Sequence, residues 1–208
     1  MKKISILSFV IVAALTMSAF TPGAFTLPEK VNGTYSVDTK SSTVQWKGEK
    51  VTGEHVGAVK LDNGSLEVSN GTISGGSFEI DMASITNDDL QGEYRDKLVN
   101  HLKSDDFFGV EKYPKARFEI TRVESQGNDQ YKVFGNLTIK ATTQEIEFPA
   151  TIKADGDALT ASAQITVDRS AYDVRYGSSS FFDNLGDKVI YDDFLLDVTL
   201  VARNELGK

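Results

Sequence analysis

From Tyr35 onward, apolar and polar residues alternate with a period of two. The stretch "STVQWKGEKV" sets Val44 and Trp46 on one face, and "KARFEITRV" sets Ala116, Phe118 and Ile120 opposite Arg117, Glu119 and Thr121. The same rhythm runs through Tyr131, Val133, Gly135, Leu137 and Ile139. It continues through Ile146, Phe148, Ala150 and Ile152, set against Glu145, Glu147 and Thr151. Leu159, Ala161, Ala163, Ile165 and Val167 repeat it, and Leu196, Val198 and Leu200 close the chain. Successive side chains of a strand point to opposite faces, so this alternation means strands with one buried and one wet face, as in an antiparallel sheet. Between the runs, "DNG" at 62–64, "SNG" at 69–71, "QGND" at 126–129 and "ADGD" at 154–157 supply residues that tolerate positive φ in hairpin turns. Asn32, Asn63, Asn70 and Asn136 fit the glycosylation pattern N-x-[ST], but the first three are Asn-Gly pairs that turn chemistry already explains.

One segment breaks the strand rhythm. Leu90, Tyr94, Leu98 and Leu102 recur every four residues, the spacing of one helix face. Asn87 fits as its N-cap, acids follow in the first turn, and Lys97 and Lys103 lie toward the far end, where the helix dipole favours cations. The spacing predicts a helix over roughly 88–103 inserted between strands. About eight strands in one domain favour a closed antiparallel barrel, which has no exposed edges. Such a barrel is either filled by side chains or holds one small ligand. A two-sheet sandwich fits the same pattern.

Composition narrows the setting. Lys2 and Lys3 precede the apolar run "ISILSFVIVAALTMSAF", and small residues follow near Ala19 and Ala24. This is the profile of a secretory signal peptide over residues 1–24, with an uncleaved anchor as the alternative. The folded domain is then expected over residues 30–205. The sequence contains no cysteine, which excludes disulfides, thiol catalysis and Cys-based zinc sites. Loss of the two leader lysines leaves 20 basic against 30 acidic residues, from totals of 22 and 30. That charge, spread without a basic patch, repels nucleic acid and anionic membrane faces.

Catalytic signatures are missing: there is no H-E-x-x-H, no G-x-S-x-G, no Walker loop and no G-x-G-x-x-G. The sharpest enzymatic hypothesis is a metal-dependent hydrolase in which His55 and His101 ligate zinc with Asp105 or Asp106. The stretch "KSDDFFGVEKYPKARFEI" has a simpler reading. Ser104 caps a turn whose first residues are Asp105 and Asp106, Phe107 and Phe108 plug the end of the core, and Tyr113-Pro114 forces extended geometry before a strand at Ala116–Val123. Arg169, directly after a strand, either pins a loop through its carbonyls or meets a ligand head group with its planar fork. Trp46 is a core residue or a ligand contact, because the inner face of a hollow barrel serves both purposes.

Four ordered blocks, "YSVDTKSSTVQWKGEKVTGEHVGAVKLDNGSLEV", "LKSDDFFGVEKYPKARFEI", "GNLTIKATTQEIEFP" and "ITVDRSAYDVRYG", resemble the YceI-like family of exported bacterial proteins described as polyisoprenoid- or lipid-binding. The resemblance covers about residues 34–202. It implies an eight-stranded antiparallel lipocalin-like β-barrel with helical insertions, a periplasmic location, and no cofactor or catalytic residue. It also implies an elongated apolar cavity for an isoprenoid quinone, a polyprenyl phosphate or a fatty amide. Dimers are common in the family, which extends the expectation to a homodimer, and no stable membrane insertion is expected once the leader is removed. The ligand-contact candidates are Trp46, His55, Phe78, Phe107, Phe108, Phe118, Arg169 and Tyr172. A tail of roughly 40 carbons at about 0.8 kcal/mol per CH₂ has a burial free energy near 30 kcal/mol. That exceeds the practical ceiling of about 18–21 kcal/mol, so chain ordering must cancel much of it. A barrel with a solid interior, acting in stress or adhesion through its loops, is the reading opposed to a carrier.

Overall fold

The structure, a computed structural model, describes residues 32–204; the leader expected over 1–24 lies outside them. The alternating runs form nine strands: β1 (Gly33–Val37), β2 (Thr43–Lys50), β3 (Gly53–Ser69), β4 (Thr72–Asp81), β5 (Lys115–Gly127), β6 (Gln130–Ile139), β7 (Thr142–Asp155), β8 (Ala158–Asp168) and β9 (Ile190–Asn204). Their order is β1-β3-β2-β9-β8-β7-β6-β5-β4, and pairing of β3 with β4 closes the sheet. Every pairing is antiparallel. Both β1 and β2 lie between β3 and β9, so they fill one strand position in two pieces. The result is an eight-stranded closed barrel, not a sandwich. At the break between the two pieces, the Asp38 carboxylate accepts bonds from the Lys40 and Ser41 amides and from the Ser41 hydroxyl.

The expected inward residues do face the interior. At one end Tyr35, Val68, Ile73, Tyr131, Leu159 and Ala202 are buried and close the barrel floor. At the other end Met82, Ile85, Phe107, Val110, Val167 and Val174 form a second cluster. Between Asp81 and Lys115 the chain leaves the barrel wall to build a 3-10 turn (Met82–Ser84) and the helix α1 (Gly92–Lys103).

The helix begins later than its leucine spacing predicts, and Asn87 does not cap it. Asn87 is buried; its amide donates to the Val56 carbonyl at 2.9 Å and its oxygen accepts from the Leu90 amide at 2.9 Å. The reason lies in β3. Beyond the reach of β4, the upper part of β3 has an open edge whose backbone groups need partners. The segment after β4 supplies them: Ser84 Oγ, Thr86 Oγ1 and Asp89 Oδ1 accept from the amides of Lys60, Ala58 and Val56 at 2.7, 3.2 and 2.9 Å. The Thr86 and Asp88 amides donate to the Ala58 and Val56 carbonyls, each at 2.9 Å. Residues 84–89 are therefore held as a makeshift edge strand, and the helix starts only when that task ends. At the other end, Ser104 caps the C-terminus of α1, its hydroxyl donating to the His101 carbonyl at 2.8 Å, and its own carbonyl opens the expected turn through Asp105 and Asp106 by accepting from the Phe107 amide at 3.1 Å. No residue of α1 is buried, and Tyr94 is 75% exposed. Among the described residues no helix is long and apolar enough to cross a membrane.

The makeshift edge lies so close to β3 that only glycine fits beneath it. A Cβ on Gly57 would fall 2.0 Å from the Thr86 carbonyl oxygen and 2.7 Å from Trp46 Cζ2. Gly57→Ala is expected to cost about 1–3 kcal/mol through overpacking, whereas Gly48→Ala, with nothing within 4 Å of the new methyl, is expected to stay near neutral. Denaturant melts of the two variants check this contrast.

Candidate ligand-binding cavity

The inward side chains do not meet along the barrel axis. They enclose an upper chamber of about 190 Å³ and a lower one of about 120 Å³. Both chambers touch Val44, Ile80, Leu137 and Leu196, which form a waist between them. Leu98 and Leu102 of α1, with Phe107 and Phe108, roof the upper chamber, and Glu49, Lys50, His55 and Tyr191 stand at its mouth. The lower chamber is walled by aliphatic residues and by the rings of Phe78, Phe118 and Phe148. Phe118 lies 6.3 Å from Phe78 and 5.5 Å from Phe148, centroid to centroid. The surfaces are almost wholly apolar, so water gains few bonds inside.

Large rings leave this space open because glycines receive them. Trp46 faces Gly57 across the β2–β3 ladder and its indole N–H donates to the Thr86 carbonyl at 3.1 Å. A Cβ on Gly135 of β6 would lie 2.4 Å from Phe118 Cζ, so that ring rests on bare backbone instead of crossing the lumen. Phe78 sits on Gly64 in the same way.

Trp46, His55, Phe107, Phe108 and Arg169 line the upper chamber, and Phe78 and Phe118 line the lower. Tyr172 lines neither; it is packed in the upper core. Burial, with Asp168 nearby, pushes its phenol pKa up to about 12, and its hydroxyl finds no hydrogen-bond partner among the described residues. Sequence reading missed Phe194, which the alternation of β9 would have reached if extended two residues upstream of Leu196, and also the waist residue Ile80.

Arg169 is only 4% exposed, and its guanidinium points into the wall. Nε donates to the Tyr191 carbonyl at 3.1 Å, Nη1 to Val174 and Tyr176 at 2.8 and 2.9 Å, and Nη2 to Ile190 at 2.9 Å. Asp192 stands 3.3 Å from Nη2. Burial lowers the guanidinium pKa, against the opposing pull of Asp192 and Asp168. Its donors are spent on pinning the loop between β8 and β9, which is the first of the two roles its position allowed.

The structure does not bring the histidines together. His55 Nδ1 pairs with Asp89 at 2.8 Å, His101 Nε2 with Asp106 at 3.2 Å, and Asp105 with Lys112 at 2.6 Å. Among the described residues no group of three His, Cys, Asp or Glu is placed to hold a metal. His101 instead packs edge-on between Phe107 and Tyr176, at 4.9 and 4.4 Å. Burial alone would raise the Asp89 pKa, but bonds from His55, Val56 and Asn87 outweigh it and hold the carboxyl below its usual range.

A closed antiparallel barrel with an apolar lumen is the class of protein these features define. The chain belongs to the YceI-like family, whose domain model matches residues 35–202. It is 32% identical over 132 residues to a UPF0312 protein of Shewanella denitrificans, the match covering 62% of this chain and 65% of that protein. A UPF0312 protein of Pseudomonas putida is 42% identical over 62 residues, which is 30% of this chain and 31% of that one. The matched segments thus span less than two thirds of these relatives. Among solved structures, BcnA of Burkholderia cenocepacia superposes with a TM-score of 0.66 at 24% identity, covering 79% of this chain and 98% of that chain. A polyisoprenoid binding domain from Saccharophagus degradans, implicated in plant cell wall breakdown, superposes at 0.64 with 14% identity, covering 82% and 98%. These two likenesses show the shared fold.

Two outcomes follow from the site's electrostatics. Removing the orphaned phenol in Tyr172→Phe is expected to raise stability by about 1 kcal/mol, since an unsatisfied buried hydroxyl costs about 1–3 kcal/mol; chemical denaturation measures it. Because the folded Asp89 pKa is depressed, the stability it contributes is complete above the unfolded value of about 3.9 and lost as pH falls through the lowered one. Asp89→Asn should therefore show a shallower loss of stability between pH 4 and pH 2 than the parent, a difference absent at pH 7.

Proposed function

We propose that the protein is a non-catalytic carrier or sequestering protein for an amphiphile, whose apolar tail enters the two chambers while its head stays at the mouth. The observation that carries this reading is the unfilled apolar lumen: a stable barrel gains nothing from keeping two empty chambers lined by rings and aliphatic side chains. The upper chamber exceeds the engineered cavity of about 150 Å³ that stays dry and binds benzene. Removal of tail from water supplies the binding free energy, and the few polar groups at the mouth choose the head. The description of the Saccharophagus domain as polyisoprenoid binding supports an isoprenoid-class tail.

Charge at the mouth favours a neutral head. Glu49 and Glu54 hold Lys47 at 2.8 Å each and raise its pKa, Arg169 is spent on carbonyls, and Lys50 stands beside Glu49. Around the mouth Lys47 and Lys50 stand against Glu49, Glu54 and Asp89, which leaves no excess positive charge for a phosphate, so a quinone or fatty amide suits the site better than a polyprenyl phosphate. The basic and apolar leader supports export, and hence a periplasmic setting where such a ligand would need shielding from water.

Native mass spectrometry of the full chain mixed with a prenylated benzoquinone tests this. A one-to-one adduct is expected, together with a change in the emission of Trp46, which lines the upper chamber. Leu196→Phe, which narrows the waist, is expected to weaken the adduct by roughly tenfold, about 1.4 kcal/mol. A clean unliganded mass with no uptake of quinone, prenol or fatty amide would overturn the reading.

A further inference from the structure

The lumen is short of room for a long tail, and the floor beneath it is packed. Scaled from the benzene-binding cavity of about 150 Å³, chambers of about 190 and 120 Å³ hold about a dozen carbons. Below the lower chamber, Tyr35, Tyr131, Leu159 and Ala202 are buried against one another and shut the floor.

The side wall is different. Strands β7 and β8 pair from Asp155↔Ala158 only as far as Ala150↔Ala163. Above that point Thr142–Pro149 remain bonded to β6 and Gln164–Asp168 remain bonded to β9, but these two stretches share no ladder with each other. At the top, the gap is bridged by side chains alone: Gln144 Nε2 donates to the Ala171 carbonyl at 3.3 Å and Lys140 Nζ to that of Asp173 at 2.8 Å. Just below, the wall is thin. Ala150, Ser162, Ala163 and Val198 border the lower chamber and also border an outer groove of about 370 Å³ that runs from β6 across β7, β8 and β9 to β2. Pro149, which has no amide hydrogen to donate, sits on that groove at the first unpaired position. A second lapse, at the top of β3, is sealed by six bonds from residues 84–89, counting one from each of Ser84, Thr86 Oγ1, Asp89, Asn87 and the Thr86 and Asp88 amides; a third, between residues 72–75 of β4 and 121–127 of β5, lies at the floor end and does not border that groove.

We propose that the β7–β8 seam sets the tail length that the barrel accepts: a tail that outgrows the two chambers parts the seam beside Ala150–Ala163 and passes its far end into the outer groove. This rests on the amphiphile-binding reading. The groove offers Gln45, Gln130, Gln164, Thr151, Ser162 and Asp197, so carbons that reach it stay wet and add nothing to affinity. Affinity therefore rises with tail length until the chambers are full and then levels off, instead of falling as it would in a blind pocket.

The test uses the absence of native cysteine, which makes an added pair unambiguous. In Pro149→Cys/Gln164→Cys, the new thiols face outward at the positions that would be opposed if the ladder ran one residue further. Binding of two benzoquinones, with prenyl tails of about ten and about forty carbons, is compared in the reduced and oxidised forms. Oxidation is expected to weaken the long-tailed quinone by roughly tenfold or more and to leave the short one unchanged. If this pair does not oxidise, Thr151→Cys/Ser162→Cys, outward register partners one step below the last inward pair, stops the seam from running downward and carries the same expectation. Equal affinity of the long quinone in both redox states overturns the proposal, as does an equal loss for both tail lengths. If the reduced protein binds neither quinone, the carrier reading fails and the seam proposal falls with it.

Discussion

Seating of aromatic rings on glycine keeps this barrel hollow. An inward ring on a strand of so small a barrel would ordinarily cross the axis and meet its counterpart, giving a packed core. Here Trp46 lies on Gly57, Phe118 on Gly135 and Phe78 on Gly64, each at a distance where a methyl group could not stand. The rings become wall instead of filling. Every other property of the lumen follows: its apolar lining, its waist of aliphatic side chains, and its division into two chambers. With no cysteine to staple it, the wall depends on strand closure and on the two clusters at its ends.

Closure is not uniform around the ring, and the lapses in the ladder at the top of β3 and between β7 and β8 are treated in opposite ways. At the top of β3, the chain spends residues 84–89 on satisfying the exposed amides of Val56, Ala58 and Lys60, and delays its helix to do so. Between β7 and β8 it leaves the upper strands apart and pins only the loop that leads from β8 to β9, through four carbonyls gathered on the buried Arg169. Such a cation is costly to bury, and several charge-assisted bonds offset the cost. The loop is rigid at its ends as a result, while the strand edges beside it are not joined.

The strands were legible because a half-buried sheet writes its inside and outside into the sequence with a period of two. Phe107 and Phe108 were legible as plugs of one barrel end, and the candidate residues Trp46, Phe78 and Phe118 do border the chambers. Three features were not legible, each for a tertiary reason. Asn87 has the local chemistry of a helix cap, but an unpaired strand edge claims it first. Tyr172 follows Arg169 closely enough to look like part of a ligand mouth, yet it turns into the upper core. The seam leaves no trace in the pattern, since Ile146, Phe148, Ile165 and Val167 alternate as faithfully where β7 and β8 are parted as where they are paired. Periodicity reports which face a residue takes, and says nothing of the neighbour across the gap.

The helix that roofs the upper chamber contributes no buried residue of its own. A peptide of twelve residues is marginal as a helix when isolated, and this one is held to the barrel mainly by the edges of Leu98 and Leu102 and by the packing of His101 against Phe107 and Tyr176. Its detachment costs a small share of the free energy needed to open the barrel itself. Opening of the roof is thus uncoupled from global unfolding: the helix can fray while the strands beneath keep their hydrogen bonds.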